Sequence, residues 1–446
     1  MKSYINEYLE LPEPIHLSED TEITPDLIKV LIDHHSKSLH RYEVLQNYYK
    51  GKTIIFDRKK DDHKANNKLV FDYAGYIIDV LQGLFVGKPI SYTPAEGAEK
   101  YMEEMQKILD ANDEQDENTE LAKMMGINGR GYEIVYVNED KEICFNEIKP
   151  QNMIFVYDNK IKPEPLFAIY LPDADTVGEN KKQFIYAYTK KENIVYSTEN
   201  GGMVEIERTP NIFGEVPVIE FMNNDEGIGD YERVLTLIDE VNVLQSDTSN
   251  DFEESTDAIL LLYGMLNADA DDIERIKKDR ILLLDSMSGQ SAGWLTKEIN
   301  DTALQSYKKT LDEAIHKFAK VPNLSDENFA GNISGEAMKF KLFATNQIIA
   351  QKQRKFKTAL TQRLYLITKV MQLKAQTAGD YKDIQVNFNE NTPYNELDNA
   401  NLVKTLIDAG ASRQLAFSKL RGVDDVSREL ELQDKQKEPE SAYFDM

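Results

Sequence analysis

Residues 322–343 read PNLSDENFAGNISGEAMKFKLF, and no other stretch limits the fold of this chain as strongly. A long amphipathic helix is expected to end at Pro322, a loop rich in Asn, Ser and Gly follows, and a second long helix is expected to start near Ser334. Two long helices joined by a polar, glycine-bearing loop make a rigid stem that carries a projecting loop. Helix 297–320 sets Ile299, Ala303, Leu304, Tyr307, Leu311, Ile315 and Phe318 on one side. Helix 334–376 does the same with Met338, Leu342, Ile349, Phe356, Leu360, Leu364, Ile367 and Met371. This second helix would span roughly 65 Å, longer than a small globular domain needs. The loop holds no His or Cys, and Asp326 and Glu327 are its only acids. Nothing in it is catalytic, and taken by itself it reads as a surface loop.

The rest of the chain reads as α+β, predominantly helical. Thr24 and Pro25 open a helix, as N-cap and first helical residue, that continues to about Tyr49. A second helix is expected over 67–86, with Leu69, Tyr73, Ile77, Leu81 and Leu84 on one stripe, stopped by Gly87-Lys88-Pro89, after which ISY begins a strand. Two acidic helices follow, over 97–111 and 114–127. Between Gly131 and Met222 the apolar period becomes two, and eight short strands separated by turn signals predict an antiparallel meander with no room for crossover helices. A long helix starts near Asp230 with Val234, Leu237, Ile238, Val241, Leu244, Thr248 and Phe252 on its apolar face. A small insert comes next: strand 258–264, helix 271–279, strand 280–285, then a loop around Ser288-Gly289, with Trp294 beginning the return. The C-terminal part is helical: 395–409 ended by Gly410, a helix capped by Ser412, and a third over 426–437, before a loose EPESAYFDM tail.

Composition narrows the classes of function. A chain of 446 residues has room for two or three domains or one elongated subunit. The single Cys144 excludes an intramolecular disulfide framework and fits a reducing site of synthesis. No apolar run is long enough to span a bilayer, and the opening MKSYINEYLELPEP is not a signal peptide, so synthesis in a cytoplasm without membrane insertion or export is expected. The net charge of −26 argues against tight, sequence-independent binding of nucleic acid, which needs Lys and Arg to displace counterions. The charge is uneven: residues 230–258 carry nine acids and one base, residues 334–376 one acid and nine bases. A helix that basic in so acidic a chain needs a partner: the acidic helix, a neighbouring subunit or phosphate. Its densest run, QKQRKFK, holds Lys352, Arg354, Lys355 and Lys357, which read as a solvated face, a contact with an acidic neighbour, or a phosphate contact.

Motifs for other chemistry are incomplete. In NADADDIERIKK (267–278), Asn267, Asp269 and Asp271 alternate as in a calcium loop, but Asp272 stands where Gly is needed and Lys278 where a bidentate Glu is needed. GINGRGYE (126–133) lacks the Lys-Ser/Thr pair of a phosphate-cradling loop and precedes a strand, so it reads as a helix-to-strand turn. His34, His35 and His40 share a helix without acids at ligand spacing, and Cys144 sits within a strand. No ATPase or nuclease activity, no metal and no cofactor are expected. The contending readings are a metal-dependent phosphodiesterase using Asp269, Asp271, Asp272 and Glu274, which lacks the His and Asp ligands such a site needs, and a helical adaptor.

Four stretches carry a resemblance. Besides the loop region 322–343, these are NNKLVFDYAGYIIDVLQGLFVGKPISY (66–92), VPVIEFMNNDEGIGDYERVLTLIDEVN (216–242) and FNENTPYNELDNANLVKTLIDAG (388–410). Together, and in this order, they resemble the portal proteins of tailed bacteriophages, in the branch typical of siphophages of Gram-positive hosts. The first 24 residues and the last dozen or so carry little of it. The resemblance implies a ring-forming subunit, usually in twelve copies, around a channel for double-stranded DNA at one vertex of the virion capsid. It implies as partners a separate terminase large subunit that drives packaging, a head–tail connector or adaptor, and the major capsid and scaffolding proteins.

On that pattern residues 1–229 would be the wing, 230–257 and 297–321 the stem helices, and 258–296 the clip. Residues 322–333 would be the tunnel loop, 334–389 the long wing helix and its connection, and 390–446 the crown and tail. Asn323, Leu324, Ser325, Asp326, Glu327, Asn328, Phe329, Gly331 and Asn332 would face DNA. Gly331 and Gly335 would form the hinge, with Ser334 as helix cap and Glu336 favouring the positive helix end. In the clip, Met287, Ser288, Gly289, Gln290 and Ser291 would dock partners, loop 286–293 staying exposed, while the strands at 258–264 and 280–285 would pair with neighbouring subunits.

Overall fold

The structure, a computed structural model, describes residues 11–60, 64–173, 183–199, 202–255, 259–263, 291–295, 301–324, 340–374, 379–389, 391 and 396–420, and residues 426, 429–430 and 432–434 of the last helical stretch. Thr24 accepts from the Leu27 N–H at 3.2 Å, and helix α1 (Pro25–Tyr49) begins there as its cap residues dictate. Helices α2 (Tyr73–Val86), α3 (Glu99–Ala111) and α4 (Glu114–Asn128) follow. Gly129, at φ 82°, then turns the chain from α4 into strand β3 (Arg130–Val137), the helix-to-strand turn that the three glycines indicate.

Helix α2 starts later than its apolar stripe suggests. The Asp72 carboxylate accepts from the Gly75 N–H at 2.9 Å and caps the helix at Tyr73. Residues 67–71 are not helical; they lie along α5 (Leu235–Ser255), and Leu69 is exposed. Helix α5 is itself preceded by a short 3-10 turn, Glu232–Val234.

The expected single meander is two sheets. One has six strands in the order β1 (Ile15–His16), β5 (Met153–Tyr157), β6 (Pro165–Tyr170), β7 (Gln183–Thr189), β8 (Glu192–Glu199), β9 (Gly202–Pro210); β1 is parallel to β5 and the rest are antiparallel. The other has three, in the order β10 (Val218–Met222), β3, β4 (Ile143–Ile148), with Val218 opposite Ile134 and Met222 opposite Arg130. The split follows from burial. One face of the three-stranded sheet, with Val135, Phe145 and Phe221, packs into the helical core. Its other face, with Tyr132, Ile148 and Val218, packs on Met153, Phe155 and Ala168 of the larger sheet. The three-stranded sheet is therefore a buried layer between the helical core and the larger sheet. The larger sheet covers its opposite face with Ile28 and Leu31 of α1 against Val156, Phe167, Ile185 and Ile194.

Strand β2 (Ser91–Pro94) pairs with β13 (Ile384–Asn387), and β11 (Ile259–Tyr263) with β12 (Ser291–Leu295), both antiparallel. Helix α6 (Asp301–Ala319) ends ahead of residues 320–324, and α7 (Phe343–Leu373) begins after residues 325–339, which lie outside the described residues. The 31 residues of α7 span roughly 46 Å. Leu311, Ile315 and Ala319 of α6 enter the helical core with Ile349, Phe356, Leu360 and Ile367 of α7. Tyr307 and Phe318 of α6 and Phe252 of α5, expected on buried faces, are instead exposed. Helix α8 (Glu396–Asp408) stops before Gly410, at φ 85°, and Ser412 caps α9 (Arg413–Phe417) through the Leu415 N–H at 3.2 Å. Segments 271–279 and 280–285 and the C-terminal EPESAYFDM lie outside the described residues.

Candidate functional site

Residues 320–324, the root of the stretch expected to be a loop, are held by α2, α6 and α7. After Ala319 the chain reverses at Lys320, which holds φ at 57°, a conformation uncommon for a residue with a side chain. The Thr345 hydroxyl, at the start of α7, donates to the Lys320 carbonyl at 2.7 Å and closes the base of the loop. On the other side stands Tyr76 of α2. Its hydroxyl donates to the Pro322 carbonyl at 2.8 Å and accepts from the Leu324 N–H at 2.9 Å. One hydroxyl thus holds two main-chain groups two residues apart, as a neighbouring strand would. Between them, Asn323 donates its amide to Asp312 Oδ2 at 3.0 Å, while Tyr73 donates to Asp312 Oδ1 at 2.7 Å. The His316 ring packs edge-on against Tyr76, with centroids 5.5 Å apart, and its Nδ1 lies 3.3 Å from the Val321 carbonyl oxygen. Burial, then the hydrogen bond to Asp312 and its charge, push the Tyr73 phenol well above its ordinary value; burial also raises Tyr76, against the bond from the Leu324 N–H. Both hydroxyls therefore remain donors at any pH near neutrality.

The structure places Asn323 and Leu324 in this root. Ser325, Asp326, Glu327, Asn328, Phe329, Gly331, Asn332, Ser334 and Gly335 lie outside the described residues, as do Met287, Ser288, Gly289 and Gln290 of the insert. Ser291 is not in a loop: it begins β12, opposite Tyr263, so part of the stretch expected to stay exposed for partners is paired within the chain. The strand expected to reach for neighbouring subunits, β11, has β12 as its partner.

The basic run of α7 is divided among different tasks. Lys352, 3% exposed, pairs with Asp230 at 2.5 Å, and Asp230 also accepts from Asn223 at 2.9 Å. Lys355 pairs with Asp225, Lys357 donates to the Val386 carbonyl at 3.0 Å, and Arg354 is exposed. Residues 223–232, which lead from β10 into α5, are gripped from the far side by Arg41 of α1. Its guanidinium meets Glu232 in two bonds of 2.7 and 2.6 Å and donates to the Gly227 carbonyl at 3.0 Å.

Two turns up α7, fully buried Arg363 forms a two-bond pair with Glu133 at 2.8 and 2.5 Å and donates to Asn118 at 2.8 Å. Burial lifts the pKa of Glu133, and Arg363 opposes the rise. None of these buried pairs was apparent from composition. Their signal was present nonetheless: Lys352 and Arg363 fall on the same helical stripe as Ile349, Phe356, Leu360 and Ile367, where a charge needs a partner.

The other candidate chemistry is occupied or distant. His35 lies 2.9 Å from the Gln151 carbonyl oxygen, and burial lowers its pKa; His34 and His40 are exposed on α1. Cys144 is half-buried in β4, and burial pushes its thiol up, away from the reactive thiolate. The Asp-rich stretch 267–278 lies outside the described residues. Among the described residues no helix is long and apolar enough to cross a membrane.

The family of SPP1 Gp6-like phage portal proteins matches residues 28–442. The portal protein of Bacillus phage SPP1 is 25% identical over 456 residues, covering 94% of this chain and 88% of its own length. Among solved structures, a chain from the neck of an empty GTA particle computed with C6 symmetry has a TM-score of 0.46 and 12% identity, covering 76% of this chain and 86% of its own. With residues 28–442 inside the family match, this chain belongs to the SPP1 Gp6-like phage portal protein family.

Proposed function

We propose that the chain assembles into a ring of twelve copies at one capsid vertex, through whose channel DNA is packaged, retained and ejected. The observation that carries this reading is the root of the loop. Tyr76, Asp312 and Thr345 fix residues 320–324 to three helices, which is the support a loop needs if it is to present residues 323–332 to a moving polymer. Residues 230–257 and 297–321 then serve as stem, 258–296 as clip, 1–229 and 334–389 as wing, and 390–446 as crown. The exposed Tyr307, Phe318 and Phe252 of the stem helices are apolar surface that a neighbouring subunit would cover. The net charge of −26 suits a channel that must let a polyanion slide. The motor is a separate terminase docking on the clip, beside the head–tail connector; capsid and scaffolding proteins meet the ring during assembly in the host cytoplasm.

Mass photometry and negative-stain imaging test the assembly. Rings with a central hole at micromolar concentration are expected; a stable monomer without rings would favour a helical adaptor. The loop is tested separately. Asn328→Lys with Asn332→Lys adds about two phosphate contacts per subunit and should slow packaging with a new salt dependence. Wild-type packaging in that variant would remove the loop from the DNA path.

A further inference from the structure

The distal half of α5 is held by an unusual device. Three buried polar residues four apart, Asn242, Ser246 and Asn250, form a ladder along its face. Asn242 Oδ1 accepts from the Phe71 N–H at 2.8 Å, Ser246 Oγ from the Leu69 N–H at 2.9 Å, and Asn250 Oδ1 from the Asn67 N–H at 2.7 Å. The match is geometric. Alternate N–H groups of an extended chain recur about every 6.7 Å, and helix residues four apart about every 6 Å, so three successive rungs stay in register. Each acceptor is itself oriented: Asn242 donates to Thr53 Oγ1 at 3.3 Å, Ser246 to the Asn242 carbonyl at 2.6 Å, and Asn250 to Asp247 Oδ1 at 3.4 Å. Arg58 and Lys60 both pair with Asp247, and Asn67 donates its side-chain amide to Glu253 at 2.7 Å.

The bonds from α6 to α5 reach Glu240 and Gln245. Val241 and Leu244 are the last residues of α5 in or against the helical core. Beyond them, among the described side chains, the buried ones are Ser246 and Asn250, and Phe252 is 59% exposed.

We infer that residues 64–71 are a strap that sets the direction of α5 beyond Leu244, and so the position of strand β11, paired with β12, that follows it. The three rungs of the ladder are main-chain N–H groups of the strap, so they depend on the α5 acceptors, while Arg58, Lys60 and Asn67 add side-chain contacts. The inference rests on this geometry and is independent of the ring assignment.

Hydrogen exchange by mass spectrometry on the full chain, in whatever assembly it adopts, tests it with two variants. Leu69→Pro with Phe71→Pro deletes two donors and leaves α5 untouched; Asn242→Ala with Ser246→Ala and Asn250→Ala deletes the acceptors. Both should speed exchange over 247–255 at least tenfold while 349–371 keeps its wild-type protection. Unchanged exchange over 247–255 in the proline variant, or an equal acceleration over 349–371 in that variant, overturns the inference. If the alanine variant loses protection throughout, the proline variant decides.

Discussion

Replacing Tyr76 by Phe removes one oxygen atom and should free the root of the loop. The ring of Tyr76 stays packed against His316, so the hydroxyl's two bonds are all that is lost. A neutral hydrogen bond contributes about 0.5–1.5 kcal/mol net, more where the abandoned partner is cut off from water. Leu324 is exposed and its N–H can turn to solvent, so its bond sits at the low end; Pro322 is buried and its carbonyl sits at the high end. The sum is about 2 kcal/mol, local to the root. Exchange at the Leu324 amide should then accelerate roughly 30-fold, with peptides from the core of α7 unchanged. Rings should still form, because the hydroxyl faces its own chain, while packaging yield falls. Tyr73→Phe should do less, since Asp312 is half-exposed and keeps Asn323. Unaltered protection of residue 324 in Tyr76→Phe would refute the reasoning, since the hydroxyl would then not be what holds the root.

Three further outcomes follow from buried groups and from one turn. Arg363→Met strands Glu133 without its partner and should cost about 3–5 kcal/mol, much of it recovered in Arg363→Met with Glu133→Leu; denaturant titration of both variants checks this. Burial raises Asp239 from 3.8 to about 6, against the opposing bond from Tyr48. Its stabilising contribution is therefore complete below about pH 4 and is lost as pH rises through about 6. Asp239→Asn keeps an acceptor for Tyr48 and should raise Tm at pH 8, by up to about 3 kcal/mol of stability, but not at pH 4; an equal gain at both would contradict it. Gly129→Ala would place a Cβ 1.9 Å from the Gly227 carbonyl oxygen at φ 82°, whereas Gly410→Ala at φ 85° meets nothing within 4 Å. The first should cost well over 2 kcal/mol and the second about 1 kcal/mol, as read by thermal melts.

Local chemistry decided much of this protein before any tertiary contact. Thr24-Pro25, Gly129, Gly410 and Ser412 mark where helices start and stop because caps and left-handed turns are satisfied within a few residues. The strands between Gly131 and Met222 are placed by a period of two, which is equally local. The same locality explains the errors. The apolar stripe of α2 runs on through Leu69, yet Asp72 caps the helix and the N–H groups of 67, 69 and 71 go to a helix more than 170 residues later. The strands could be placed but not assigned to two sheets, because pairing of β10 with β3 depends on both faces of that sheet being buried.

At residues 320–324, Pro322 marked where α6 gives out, and the flanking periods marked the helices on either side. That Tyr76, Asp312 and Thr345 would hold these residues was not legible, since a Tyr on an amphipathic helix is equally compatible with solvent or core. Lys352 and Arg363 make the same point at greater cost to a purely local reading. Their charge was visible as a basic excess seeking a partner, but Arg363 finds Glu133 across 230 residues of sequence, and Lys352 finds Asp230 across 122. Sequence alone marked most of the described helices and their ends, because hydrogen bonds within helices and turns close over a few residues. Which polar groups the core admits was decided by the tertiary structure, because a buried charge is tolerated only where folding brings its counter-charge within bonding distance.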